Sequence, residues 1–362
     1  MSKKTPYRDL PQRAFWRRAV SSVAYAEVDP VGEFALRVRP ETKVATAGSC
    51  FAQHIARHLA KNGFNYYVVE RGHPVVDEAV RIRHQYGTFS ARYGNIYTAR
   101  QLLQLIERAY GRFEPGEEAW IESGERVLDP FRPNVEPDGF VSVAAMNADR
   151  AQHLAAVREM FETLDVFVFT LGLTECWLSR ADGAVFPVCP GVAGGTFDAA
   201  KYSFHNQDVA EVVSDFGRFM QALKAVNPLA QVVITVSPVP LMATATPSEH
   251  VLSATTYSKS VLRVAAETLR RSLPDVHYFP SYEIITGSYA QGRYFAEDLR
   301  NVTEEGVSHV MRLFLQHATG ATSHEQARPP AAAGVDDQRA RAEHFVETEC
   351  DEAALDPGQP RR

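Results

Sequence analysis

The sequence predicts an α/β fold built on a parallel sheet of about five strands with helices on both faces. Three observations carry the prediction. The runs Asp165-Val166-Phe167-Val168-Phe169-Thr170-Leu171-Gly172 and Gln231-Val232-Val233-Ile234-Thr235-Val236-Ser237 lack the alternation of a half-exposed strand and read as strands buried on both sides. Helical patterns of apolar residues alternate with such strands along the chain. Near the amino end, the β-prone run Val44 to Ala47 breaks at Gly48 and passes into a helical pattern, with Ile55 and Leu59 at i, i+4. That corner sets the Ser49 hydroxyl and the Cys50 thiol at the carboxyl end of a strand and the amino end of a helix. In open α/β sheets ligands bind at such ends, and unpaired helix N–H groups there stabilise developing negative charge.

Taken in order, residues 1–41 form an arm whose Phe15, Trp16, Phe34 and Leu36 are apolar enough to pack against the body. The main domain is expected over 42–319. Its first helix stops at Asn62-Gly63, and Tyr66-Tyr67-Val68-Val69 reads as a second strand. Thr98 caps a helix carrying Leu102, Leu103 and Ile106 on its apolar face. The stretch 111–146, with Pro115, Pro130, Pro133 and Pro137, reads as a surface insertion. Asn147 then caps a helix marked by Leu154, Val157, Met160 and Phe161, ahead of the strand at 165–172. A Gly/Pro-rich loop spans Pro187 to Gly195, and a helix runs from about Asp208 to Val226. After the strand at 231–237 come a helix at about 256–272, a short strand at Val276–Phe279, and a closing helix from Thr303 to about His317. Residues 320–362 have little apolar periodicity and read as a disordered tail.

Composition narrows the function classes. A net charge of −6 and a pI near 6.1 argue against nucleic acid as the main partner. No window approaches the roughly 18 apolar residues of a membrane span, and Met1 to Arg8 carries no apolar core of a secretory signal. Cysteines at 50, 176, 189 and 350 without such a signal suggest reduced thiols and a cytoplasmic home. None stands in C-x-x-C spacing, so neither a metal nor another cofactor is expected.

Polar groups gather at three expected strand ends or loops: Gly48-Ser49-Cys50, Gly172-Leu173-Thr174-Glu175-Cys176, and the loop holding Asp298. A serine nucleophile needs a base oriented by an acid, and its oxyanion needs N–H or side-chain donors. On spacing alone, a Gly-Ser after a strand is also an ordinary turn.

Gly48-Ser49-Cys50-Phe51-Ala52 resembles the signature of the GSCFA family, within the wider SGNH/GDSL hydrolase group, with similarity over roughly residues 42–317. The resemblance implies a flavodoxin-like three-layer sandwich, like that of SGNH hydrolases, and serine esterase or O-acyltransferase chemistry. By that resemblance Ser49 is the nucleophile, and Gly94, in Gly94-Asn95, faces the oxyanion. Thr174 stands where the wider group places an asparagine donor, in Gly172-Leu173-Thr174-Glu175. The final Asp-x-x-His block reads Asp298-Leu299-Arg300-Asn301, so an amide occupies the place of the imidazole base. Either another group is the base or Ser49 is not a hydrolase nucleophile.

Among the histidines, His205 is preferred as base because Gly191, Gly194 and Gly195 let its loop fold inward. His250 follows the fourth strand, His309 lies about two turns inside the closing helix, and His54 reads as a packed helix residue. Asp298 would orient whatever base serves. Glu175 is either an exposed helix-start carboxylate or a partner that orients a base or pairs with an arginine such as Arg92 or Arg300. Cys50, at a helix amino end, is an alternative nucleophile that needs less help from a base. The expected substrate is an acylated small molecule or glycan. The alternative is a non-catalytic binding module in polysaccharide or metabolite biosynthesis.

Overall fold

The structure, a computed structural model, describes residues 5–122, 124, 126–320 and 355, and of Cys50 the helical backbone alone. The tail expected over 320–362 therefore falls, but for 320 and 355, outside the described residues. The chain divides into two units, one spanning 39–278 and the other joining the stretch before 38 to that after 279.

The larger unit runs β1 (Val44–Gly48), α1 (Cys50–Lys61), α2 (Glu78–Arg83), α3 (Ala99–Ala109), β2 (Trp120–Ile121), β3 (Val127–Leu128) and α4 (Val143–Thr163). It continues through β4 (Val166–Leu171), β5 (Glu175–Ser179), β6 (Val185–Phe186), β7 (Tyr202–Asn206), α5 (Val209–Val226), β8 (Gln231–Val236), α6 (Val251–Ser272) and β9 (Val276–Tyr278). Four strands form the central parallel sheet, in the order β1-β4-β8-β9. β4 and the last five residues of β8 are wholly buried, as their unbroken apolar runs require. Phe167 and Phe169 of β4 pack with Phe161 of α4 and Phe216 and Phe219 of α5 into one aromatic core.

The expected fifth strand is reduced to a single parallel bridge, Val44 to Tyr66. The chain meets β1 through Val44 N–H to Asn65 O and Tyr67 N–H to Val44 O, then turns away as Val69 N–H bonds Ser90 O. Side chains and one loop amide complete that edge. Ser90 Oγ accepts from Thr46 N, Tyr93 OH donates to Thr46 O, and Ile96 N–H donates to Gly48 O at 2.9 Å. The chain thus leaves β1 on this side and returns on its other side as β4, a topological switch at whose strand ends open α/β sheets bind ligands.

Side-chain caps set several helix boundaries. Thr98 accepts from Gln101 N, and Asp208 and Glu211 form a capping box on α5. α4 starts a turn before Asn147 because Ser142 caps it, and α6 starts at Val251 because His250 Nδ1 accepts from Leu252 N. Beyond β4 the chain forms an antiparallel sheet ordered β6-β5-β7 where helical packing was expected. The 111–146 stretch contributes β2 and β3 and buries Trp120, Leu128 and Phe131 with Phe186 and Tyr202.

Arginines tie that stretch to α4. Asp129, fully buried, accepts from Arg132 and Arg150; Asp149 accepts from Arg132 and Arg92; Glu136 accepts from Arg92. Burial alone would raise the Asp129 pKa, but the Arg132 and Arg150 guanidiniums outweigh it and hold the carboxyl well below its usual range.

In the smaller unit, short helical turns at Gln12–Ala14, Arg17–Ser21 and Tyr25–Glu27 precede an extended stretch, joined by α7 (Ser281–Thr286) and α8 (Glu304–Thr319). Phe34 packs edge-on against Phe279 and Phe314, and Val38 N–H bonds Ala318 O. Thr303 caps α8 as expected. No helix of the described residues is long and apolar enough to cross a membrane.

Because the folded Asp129 pKa lies below the unfolded value of 3.8, its stabilisation is whole above that pH and is lost as pH falls below it. The difference in urea midpoint between wild-type protein and Asp129→Asn is expected to hold steady from about pH 7 to about 5 and to shrink below about pH 4, where the carboxylate protonates. A difference unchanged at about pH 3 would contradict the assignment.

Candidate active site

Gly48 ends β1 with φ near +142°, and a Cβ there would stand 2.5 Å from Thr170 O and 2.7 Å from Thr170 Cβ. No other residue fits at this point of β1. Ser49 follows in extended conformation (φ −73°, ψ 177°) as the N-cap of α1, yet its side chain makes no capping bond. Ser49 is only 4% exposed, and its Oγ has no hydrogen-bond partner among the described residues. A serine at an N-cap ordinarily bonds an N–H of the first turn. Here the hydroxyl is buried and uncommitted, beside the N–H groups that a helix start leaves without intrahelical partners.

The segment 94–97 is stitched to this corner. Besides the bond from Ile96 N to Gly48 O, Tyr97 O accepts from Gly172 N at 2.9 Å and from Leu173 N at 3.3 Å. Gln101 clamps the segment from α3, its Nε2 donating to Asn95 O and its Oε1 accepting from Tyr97 N, each at 2.9 Å. Gly94 takes φ +70°, Asn95 is buried, and both line a shallow cavity with Phe131 and Arg132. Gly48, the 95–97 segment and Gly172 are thus joined by hydrogen bonds at the ends of β1 and β4, with Ser49 and Gly94 as their chain neighbours.

The third strand end departs from expectation. The Gly172 N–H is held by Tyr97 O, and the Gly172 carbonyl accepts from the buried Lys259 Nζ at 2.6 Å. Thr174 is 0% exposed; its N–H bonds Ser258 Oγ, and its hydroxyl donates to Asn206 Oδ1 at 2.6 Å. Glu175 opens β5 instead of a helix. Its carboxylate accepts from Thr244 Oγ1 at 2.6 Å and Ala245 N at 3.1 Å, pinning the loop after β8. Arg92, considered above as its partner, is bound instead to Asp149 and Glu136.

His205 lies in β7 opposite Cys176, so it is held by a strand and not by an inward-folding loop. Gly194 and Gly195, expected to free that loop, instead pack their backbones on Leu128 and Trp120. His205 Nε2 pairs with Glu211 Oε1 at 2.7 Å, and Glu211 also takes a bond from Arg100. Burial pushes the Glu211 pKa up, but bonds from the Asp208 N–H, Arg100 and His205 outweigh this and keep it low. Burial lifts the Cys176 thiol to about 12 and that of Cys189 to about 11, which disfavours thiolates at both.

The other three histidines weighed above are each engaged. His250 caps α6, His309 is buried between Tyr294 OH and Val28 O, and His54 bonds Arg57. Burial and the neighbouring Arg57 hold the His54 pKa down at about 3. Asp298 belongs to the smaller unit and is engaged within its own turn. It accepts from Arg300 N at 3.0 Å, Asn301 N at 2.9 Å and Asn301 Nδ2 at 2.6 Å. Leu299 within that turn takes the left-handed φ of +54°.

Sequence reasoning missed Gln101 and Lys259. The signal for Lys259 was available, since it shares the apolar stripe of α6 with Ala254, Leu262 and Ala266. Among the described residues, no group of three or more His, Cys, Asp or Glu is arranged to hold a metal ion. The model of the GSCFA family matches residues 43–314. No curated protein matches the chain.

Two substitutions probe the assembly. Gly48→Ala is expected to lower unfolding free energy by about 2–4 kcal/mol, because the new Cβ meets the β4 backbone in a strained conformation. Gln101→Ala leaves a carbonyl and an amide without their clamp and is expected to cost about 1–3 kcal/mol. Urea titration of each variant measures both.

Proposed function

The chain belongs to the GSCFA family, and from that premise we propose that Ser49 is the nucleophile of an acyl-transfer enzyme, an esterase or O-acyltransferase of the SGNH type. One observation carries the reading. Leaving a buried hydroxyl unpartnered costs about 1–3 kcal/mol, and the Ser49 Oγ bears that cost at a position where an ordinary capping serine would relieve it.

In this reading the Ser49 oxygen adds to the acyl carbonyl carbon while its proton passes to a base. The leaving alkoxide takes that proton, and water or an acceptor hydroxyl then releases the acyl group from Ser49. The first N–H groups of α1, with Gly94 and Asn95, supply the oxyanion donors. Asn206 enters as a further donor, since its oxygen receives the Thr174 proton and its amide nitrogen is left to point elsewhere. Gly172 and Thr174 act as positioning residues, and Glu175 holds the neighbouring loop.

His205, oriented by Glu211, is the imidazole assigned as base; Nε2 is paired, so Nδ1 would take the proton. Asp298 is the carboxylate of the final block, and its bond to Asn301 keeps the form of an acid–imidazole pair with an amide in the second place. The substrate class is an acylated small molecule or glycan, and the reading places the protein in the cytoplasm. A thiol route through Cys50 is the variant of the same chemistry.

Asn301 favours a second reading, a non-catalytic binding module, because an amide cannot take and return a proton near neutral pH. The two separate in one experiment. Wild-type protein is expected to turn over p-nitrophenyl acetate and to label at Ser49 with a fluorophosphonate. Ser49→Ala should abolish both while leaving stability equal or higher, since no bond is lost. Labelling at Cys50 by iodoacetamide without fluorophosphonate labelling would favour the thiol, and silence with both reagents would favour binding.

A further inference from the structure

We propose that a second cavity, walled by α3, α4 and the 131–132 segment, is a binding site for a carboxylate group. It is lined by Tyr93, Gln101, Arg108, Phe131, Arg132 and His153, among others. Arg132 is 3% exposed; its Nε and Nη2 bond Asp129 and Asp149, while its Nη1 is buried without a partner among the described residues. His153 is 1% exposed; its Nδ1 pairs with Glu70 at 2.7 Å, while its Nε2 is likewise buried without a partner. The Arg108 guanidinium lies over the Phe131 ring, 4.1 Å from its centre, and makes no hydrogen bond among the described residues.

The neutral groups of the wall offer no acceptor to match these nitrogens. Gln101 is engaged by Asn95 and Tyr97, Gln104 by Gly183 and Val185, and the Tyr93 hydroxyl donates to Thr46 O. The nearby carboxylates face away into pairs of their own: Asp129 with Arg132 and Arg150, Asp149 with Arg92 and Arg132, Glu70 with His153 and the Arg92 N–H. What remains open is the Arg108 guanidinium, one nitrogen of Arg132 and one imidazole nitrogen. Burial, then Arg132, hold the His153 pKa down, so this imidazole is neutral until an anion arrives. A bound carboxylate would draw one proton from solvent onto Nε2, making a third donor.

The cavity volume, about 20 Å³, admits one or two water-sized groups. That favours the two coplanar oxygens of a carboxylate over the four oxygens of a tetrahedral phosphate. Guanidinium geometry matches the same group. This site stands apart from the Ser49 reading and does not depend on it.

Calorimetry on the full chain with acetate and succinate, against inorganic phosphate and sodium chloride at matched ionic strength, tests the proposal. The carboxylates are expected to bind with proton uptake, more tightly at pH 6 than at pH 8. Arg108→Gln is expected to weaken them about ten-fold or more, with a fall in melting temperature no larger than loss of the contact over the Phe131 ring accounts for. Phosphate binding as tightly as acetate would overturn the carboxylate assignment, and heat no greater than that of sodium chloride would overturn the site. Should Arg108→Gln melt early, the pH trend in wild-type protein decides: affinity flat from pH 6 to 8 overturns the proposal.

Discussion

The backbones of β1 and β4 approach so closely at Gly48 that any side chain there would enter the Thr170 peptide. Everything at the candidate site follows from that approach. It forces glycine at the end of β1, and it aligns Gly48 with Thr170 in the parallel ladder. It also sets the start of α1 beside the loop that leaves β4. The segment 94–97 then spans the two strand ends, bonding Gly48 O on one side and the Gly172 and Leu173 amides on the other. A hydroxyl at residue 49 is placed by backbone geometry, with none of its own bonds needed to hold it.

Groups that resemble catalytic donors in the sequence are engaged elsewhere, and groups that looked ordinary face the openings. Thr174 gives its proton to Asn206, and the Gly172 N–H belongs to Tyr97. Asp298 and Asn301 satisfy one another inside one turn, which preserves the shape of an acid–base pair without an imidazole. Meanwhile Arg132 and His153 combine burial with uncommitted nitrogens beside the half-buried Arg108, and Arg108 and His153 come from helices that otherwise read as plain amphipathic packing. The chemistry of this molecule is set by which polar groups already have partners.

The parallel core was legible because its signals are local. The apolar runs at 166–171 and 231–236 can only be strands buried on both faces, and Thr98, Asp208 and Thr303 announce their helices by capping. Ser49 and Gly172 were legible as positions for a similar reason, since each lies in a short strand-end motif. Failures came where long-range partners decide. Tyr66–Val69 has strand propensity, yet the chain leaves after one bridge because Ser90 and Tyr93 occupy the next backbone positions. Glu175 and His205 became strand residues because they pair with each other's neighbours across β5 and β7. The 111–146 stretch looked like a surface connection because its prolines and charges hide a buried aromatic cluster and an arginine–carboxylate network.

The side of β1 away from β4 has a consequence beyond the site. A sheet edge with idle amides and carbonyls is a template on which a second chain can add a strand, the first step of amyloid-like assembly. Along β1 the N–H and C=O of Val44 and Thr46 and the C=O of Gly48 are taken, by two backbone bonds, a serine oxygen, a tyrosine hydroxyl and a loop amide. The chain thus gives up a regular outer strand without acquiring a surface for intermolecular β-pairing. Ser90 and Tyr93 are in this sense guards against self-association as much as members of the fold.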